Sequence, residues 1–126
     1  MELEPLAAML GVKIKESDDL HPGIDGIYLH QHRAIVIRRG LDPWVERSVL
    51  AHELGHAYYG DEDLNDPRLE RRADLWAAKL LISPAQYAAA ERLHGPHLGA
   101  IAWELGVTVD LVEAWRSAHE KAAISQ

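Results

Sequence analysis

The sequence contains no cysteine and no phenylalanine. Without cysteine there are no disulfides and no thiolate metal site, so a metal held here must be held by histidine and carboxylate. Without phenylalanine, four tryptophans and four tyrosines are the only aromatic side chains, and the tryptophans are expected to carry much of the core. Positive charge is also scarce: 13 Lys and Arg stand against 20 Asp and Glu, for a formal net charge of −7. That balance works against general binding to nucleic acid, whose affinity comes largely from neutralising phosphates. No apolar run approaches the ~20 residues that span a bilayer. The start, Met1-Glu2-Leu3-Glu4-Pro5, lacks the basic residues and apolar stretch of a signal peptide. No internal repeat or low-complexity segment is present. These absences point to a cytoplasmic protein with no membrane partner and no direct nucleic-acid partner. What remains is ordinary for a globular chain: 126 residues, 48% hydrophobic and 26% charged, read as a single domain over residues 1–126.

Periodicity predicts a short helix over residues 3–10, ended by Gly11, and a strand over 12–15, where Val12-Lys13-Ile14-Lys15 alternates. Residues 17–26 form a loop rich in Asp, Gly and Pro, long enough to wall a cleft. Two strands, 26–30 and 34–38, are joined by the polar turn Gln31-His32-Arg33, giving a three-stranded sheet that is antiparallel in part. Asp42-Pro43 is a helix start, a side-chain cap followed by proline at the first helical position. From there to Tyr59 the pattern is apolar on more than one face, the mark of a buried central helix, and Gly60 ends it. Residues 61–67 read as an acidic surface loop. Helices follow over 68–82, over 85–93 behind a Ser83-Pro84 cap, over 98–105 and over 109–119, with residues 122–126 expected to fray.

The central helix carries His52-Glu53-Leu54-Gly55-His56. Residues four apart share a helix face, so both imidazoles can close on one ion, with Glu53 beside it. Two imidazoles with a carboxylate between them are the ligands and general base of a zinc hydrolase. With eight histidines in the chain, the pattern alone arises by chance in roughly one such chain in twenty-five. A working zinc site needs a third ligand. The metzincin continuation HExxHxxGxxH is excluded, because Tyr59 and Glu62 stand where glycine and histidine are required. On the next helix Glu70, Ala73, Asp74 and Ala77 share one face. Its small residues allow close packing, which would bring Glu70 or Asp74 to the metal.

Leu50-Ala51-His52-Glu53-Leu54-Gly55-His56-Ala57, then Glu70-Arg71-Arg72-Ala73-Asp74 and Ala77-Ala78-Lys79-Leu80-Leu81-Ile82-Ser83-Pro84, together resemble the ImmA/IrrE metallopeptidases. Their signature is a helical HExxH followed by E-x-x-A-(D/N), an A-A-x-L-L run and a proline close behind. Trp76 stands where that family has an aromatic residue, and Arg47-Ser48 fits its lead-in; Ser83 before Pro84 is a small departure. The resemblance runs from about Gly26 to Trp115. It implies a zincin-like α+β fold, a small three-stranded sheet packed on a helical bundle around the HExxH helix. It also implies Zn(2+) held by His52, His56 and Glu70, with Glu53 as general base and Asp74 orienting a ligand histidine through its other ring nitrogen. The residues agree, since Glu70 has the longer side chain and lies nearer the helix start. An Asp74 salt bridge to Arg71 or Arg47 is the competing role. In the implied mechanism Glu53 takes a proton from water and later passes it to the leaving amine. Tyr58, Tyr59, Arg71, Arg72, His94 and His97 are the candidates for stabilising the oxyanion; His21, His30 and His32 are assigned to the surface or to strand ends.

The segment from Leu98 to Trp115 has the rhythm of a helix-turn-helix. Its second helix, however, presents Asp110 and Glu113 where a reader of DNA uses basic or amide side chains. Residues 97–119 are therefore expected to pack as part of the domain. Family resemblance implies the substrate: a helix-turn-helix repressor of a phage, mobile element or stress regulon, inactivated by cleavage. Many relatives carry their own DNA-binding domain and this chain begins near the catalytic core, so the repressor is expected on a separate chain. Two other readings compete, a non-enzymatic protein-binding component that keeps the fold and a DNA-binding regulator. A retained Glu53 opposes the first and the net charge opposes the second.

Overall fold

The computed structural model describes residues 3–63 and 65–125, with side chains as far as Lys121. Its sheet is built on β3 (Ala34–Arg38), the most apolar strand, with Ala34, Ile35 and Ile37 all buried. β1 (Lys13–Ser17) pairs parallel on one side of β3 and β2 (Gly26–Leu29) antiparallel on the other. The order is β1-β3-β2, so the sheet is mixed and β2 is an edge. A 3₁₀ turn over His30–His32 joins β2 to β3, and Arg33 leaves it in the left-handed region at φ 45°. The Arg33 guanidinium donates to the Tyr28 hydroxyl at 2.6 Å and to the Leu10 carbonyl, tying the sheet to the end of α1 (Glu4–Met9).

The helix α2 (Pro43–Tyr59) lies against the sheet, with Leu50, Ala51 and Leu54 in the core. Pro43 starts it as expected, but the Asp42 side chain makes no capping bond. Only the Asp42 carbonyl is used, accepting from Glu46 N–H at 2.9 Å. The next helix, α3 (Pro67–Leu81), begins one residue earlier than its pattern indicates, behind an Asp66 side chain that accepts from Arg68 N–H. Ala73, Ala77 and Ala78 are its buried residues. They let it approach α2 so closely that a Cβ placed on Gly55 lies 3.2 Å from the Ala73 backbone. This small-residue seam sets how near α3 can bring its side chains to α2.

The remaining helices are α4 (Pro84–His94), α5 (Leu98–Leu105) and α6 (Val109–Ser125). Ser83 and Gln86 close a capping box at the start of α4. The last helix continues in regular helix to Ser125, well beyond His119; only Gln126 of the stretch expected to fray falls outside the described residues. α6 packs on α3, with Leu111, Val112 and Trp115 buried. Ser48 Oγ accepts from Thr108 N–H at 3.1 Å, and Arg47 donates to the carbonyls of Leu105 and Gly106 at 3.2 and 3.0 Å. The turn between α5 and α6 is thus pinned to α2, and α6 spends its apolar face on the core. One hydrophobic cluster draws residues from Leu3 to Trp115. Of the tryptophans, only Trp115 belongs to its buried set. Trp76 is half-buried and stacks on Tyr58, whereas Trp44 and Trp103 are 48% and 79% exposed. Aliphatic side chains and alanines fill the space that tryptophan was expected to fill.

Candidate metal centre

Two turns into α2, its buried face reaches the seam with α3, and His52 and His56 project there one turn apart. Their rings stand edge-on with centroids 4.8 Å apart. Glu70, on the first turn of α3, lies across from both. Its Oε2 is 3.1 Å from His52 Nε2 and its Oε1 is 2.7 Å from His56 Nε2. The donor atoms of His52, His56 and Glu70 all lie within 4.8 Å of one another, close enough to bind a metal ion.

Behind each imidazole stands another carboxylate. His52 Nδ1 is 2.7 Å from Asp74 Oδ1, one turn along α3 from Glu70. The competing role for Asp74, an ion pair with Arg71 or Arg47, is not among the described contacts, and Arg47 is engaged at the α5–α6 turn. His56 Nδ1 donates to Asp61 Oδ2 at 2.9 Å, and Asp61 Oδ1 accepts from Arg72 Nη2 at 2.5 Å. Asp61 therefore does not belong to an acidic surface loop: its side chain is only 4% exposed. The sequence carried a signal for it, a Gly-Asp pair directly behind the helix, but loop composition hid it.

The electrostatics are those of a negative pocket around imidazoles. Burial works against a charged His52. The hydrogen bond to Asp74 and the charges of Glu53, Asp74 and Glu70 outweigh that, pushing its pKa up to about 9. Glu53 is buried on α2 beside the cluster, its Oε2 4.0 Å from His52 Nε2. Burial raises its carboxyl above the ordinary range against the pull of both histidines, the direction that suits a group trading protons near neutral pH.

The cluster opens onto a cleft of about 750 Å³. The loop before β2 walls it through Gly23, Ile24 and Asp25, as expected, while Val45 and Val49 of α2 and Thr108, Asp110 and Leu111 at the start of α6 line other parts. The donor set suits a small divalent cation: two imidazole Nε2 atoms and a carboxylate converge, each imidazole is oriented from behind, and the cleft leaves room for water and substrate. None of the six oxyanion candidates lines the cleft. Tyr58 stacks on Trp76, Tyr59 lies under the Arg72 guanidinium, and Arg72 holds Asp61. His94 pairs with Glu104, and His97 caps α5 through Ala100 N–H. His21 and His32 are exposed, and His30 is bonded to the Tyr28 hydroxyl at the end of β2.

Compared with known protein families, residues 7–114 match the IrrE N-terminal-like domain, a peptidase family. Neither the curated proteins nor the solved structures contain a significant match. Among the described residues, no helix is long and apolar enough to cross a membrane.

Proposed function

Because the chain belongs to the IrrE N-terminal-like family of peptidases, we propose that it is a zinc-dependent endopeptidase. His52, His56 and Glu70 would hold Zn(2+), Glu53 is the general base, and Asp74 orients His52. The observation that carries this reading is the convergence of both histidine Nε2 atoms on the two oxygens of one carboxylate, with a buried Glu53 alongside. When bound, zinc supplies a Lewis acid that polarises a carbonyl and lowers the pKa of water towards ~7.

The chain's own residues supply the rest. Glu53 accepts a proton from the attacking water and delivers it to the leaving amine, work for which its burial prepares it. Asp74 holds His52 with Nδ1–H donating, which leaves Nε2 directed at the site. Gly26 and Ile27, at the start of the edge strand β2, line the cleft, and an extended polypeptide can add to such an edge through backbone hydrogen bonds. That geometry favours a peptide over a small metabolite as substrate. We infer from kinship that the substrate is a helix-turn-helix transcriptional repressor of a phage, mobile element or stress regulon, on a separate chain in the cytoplasm. Its cleavage would derepress the genes it controls.

Glu53→Gln tests the reading. The purified parent is expected to carry roughly one zinc per chain and to cleave the cognate repressor. The variant keeps the zinc and loses cleavage by a factor of at least ~10². Cleavage that survives in the zinc-loaded variant removes Glu53 as the base.

A further inference from the structure

The stop signal of α2 does more than end a helix. Gly60 sits at φ 69°, in the left-handed region that favours glycine. Gly60 N–H donates to the Ala57 carbonyl at 3.2 Å and Asp61 N–H to the His56 carbonyl at 2.9 Å. This bond pair is the Schellman arrangement. It reverses the chain so that the residue after glycine lies over the last turn, and the His56 backbone anchors the residue whose side chain its own ring meets. Asp61 Oδ2 accepts from His56 Nδ1, and Oδ1 accepts from Arg72 Nη2. Arg72 stands two residues after Glu70 on α3, its guanidinium 3.8 Å over the ring of Tyr59, the residue before Gly60.

Resting on the zinc reading, we propose that Gly60, Asp61 and Arg72 form a positioning clamp for His56. The clamp fixes the tautomer with Nδ1–H donating and directs Nε2 to the metal. It differs from the Asp74 support of His52 in two respects. The Asp61 side chain is 4% exposed against 31% for Asp74, and its second oxygen is held by the Arg72 guanidinium. The clamp also joins both helices at one point: α2 supplies His56 and the turn, and α3 supplies Glu70 and Arg72. Removing Asp61 frees the His56 ring to rotate and releases Arg72 from the seam.

The test compares the parent chain with Asp61→Asn, Asp61→Ala and Gly60→Ala. Folding is checked by circular dichroism of the metal-free proteins. Zinc affinity is measured by competition with a chromogenic chelator, and the nitrogen through which His56 holds the metal is read from imidazole ¹⁵N shifts of the zinc-loaded forms. Asp61→Ala is expected to weaken zinc binding 10- to 100-fold. Asp61→Asn, similar in size but uncharged, weakens it less, and its His56 resonances move away from the single Nδ1–H pattern. Gly60→Ala keeps every clamp side chain and strains only the turn, so it weakens binding by a smaller factor. Folded Asp61 variants that bind zinc within twofold of the parent overturn the clamp, even if their melting points fall, because packing alone would then explain Asp61. If Asp61→Ala does not fold, the Asn and Gly60 variants decide by the same criterion. A parent that binds no zinc overturns the peptidase reading first and the clamp with it.

Discussion

Gly55→Ala probes the seam on which the site depends. Gly55 lies inside α2, between the two histidines, where alanine is the better helix former by about 1 kcal/mol. On propensity alone the substitution stabilises. The structure opposes it: the new Cβ would meet Ala73 Cα and the Ala73 carbonyl oxygen at 3.2 Å and Trp76 Cε3 at 3.3 Å. Two of those three contacts are backbone, and Ala73 is fully buried, so no side chain can rotate away. Nor can α3 retreat freely, because α6 packs on it. Overpacking a close-fitting interior costs roughly 1–3 kcal/mol, so the net change is a loss of about 0–2 kcal/mol. At roughly 4 °C per kcal/mol for a domain of this size, the melting point of the metal-free protein falls by up to about 8 °C. A larger consequence concerns the metal. Any adjustment moves Ala73, which sits between Glu70 and Asp74, and zinc affinity drops by more than the stability loss implies. Urea denaturation of the metal-free form and chelator competition on the folded variant measure the two effects. A variant more stable by about 1 kcal/mol with unaltered zinc affinity refutes the seam argument, since helix propensity would then have won.

The metal-free protein should lose stability as pH rises from about 6.5 to about 9. His52 has a folded pKa raised to about 9 from 6.5, so its contribution is complete below 6.5 and disappears as pH passes through 9. At 1.36 kcal/mol per unit the loss is on the order of 3 kcal/mol; a flat denaturation profile across that range in the parent, or the same slope in His52→Gln, contradicts it. Glu70→Ala should weaken zinc binding far more than Asp74→Ala, because Glu70 meets both Nε2 atoms and Asp74 only an Nδ1. The reverse order in chelator competition would make Asp74 the third ligand. Zinc at a thousandfold excess over its dissociation constant should add about 4 kcal/mol to folding stability, and a chelator should remove it; a melting point indifferent to both counts against a site formed only in the fold.

What could be read in advance followed the strength of the local signal. Periodicity located every helix within two residues except at the C-terminus, and Gly60 and Pro43 mark the ends of α2 as their chemistry requires. The mixed sheet was less legible, because alternation identifies strands but does not tell that β1 pairs parallel with β3. Tryptophan misled, since hydrophobic size indicates what a side chain could contribute to a core and not whether the core has room. Here Ala51, Ala73, Ala77 and Ala78 are fully buried, whereas Trp44 and Trp103 stay exposed. The Asp42 cap failed on a related point: composition proposes a capping side chain, but only the backbone path decides whether it turns inward.

The site shows the same division more sharply. His52, Glu53 and His56 obey a spacing rule internal to one helix, so their neighbourhood follows once the helix does. Glu70 and Asp74 lie on a second helix, and a spacing rule within α3 says only that they share a face. Bringing that face to the histidines takes Gly55 against Ala73, a tertiary contact between two residues that look featureless in the sequence. Asp61 lies one step further out. It belongs to no periodic element and stands among Asp and Glu neighbours that are exposed, and it turns inward only because Gly60 closes a Schellman turn on the His56 carbonyl. A helix stop that follows a ligand histidine by four residues therefore carries positional information: the residue after its glycine returns to the turn that bears the histidine. When that residue is a carboxylate, orienting the ring is a stereochemical consequence of ending the helix there. On this argument the Gly-Asp pair, not the acidic composition of the loop, is the informative feature behind the HExxH helix.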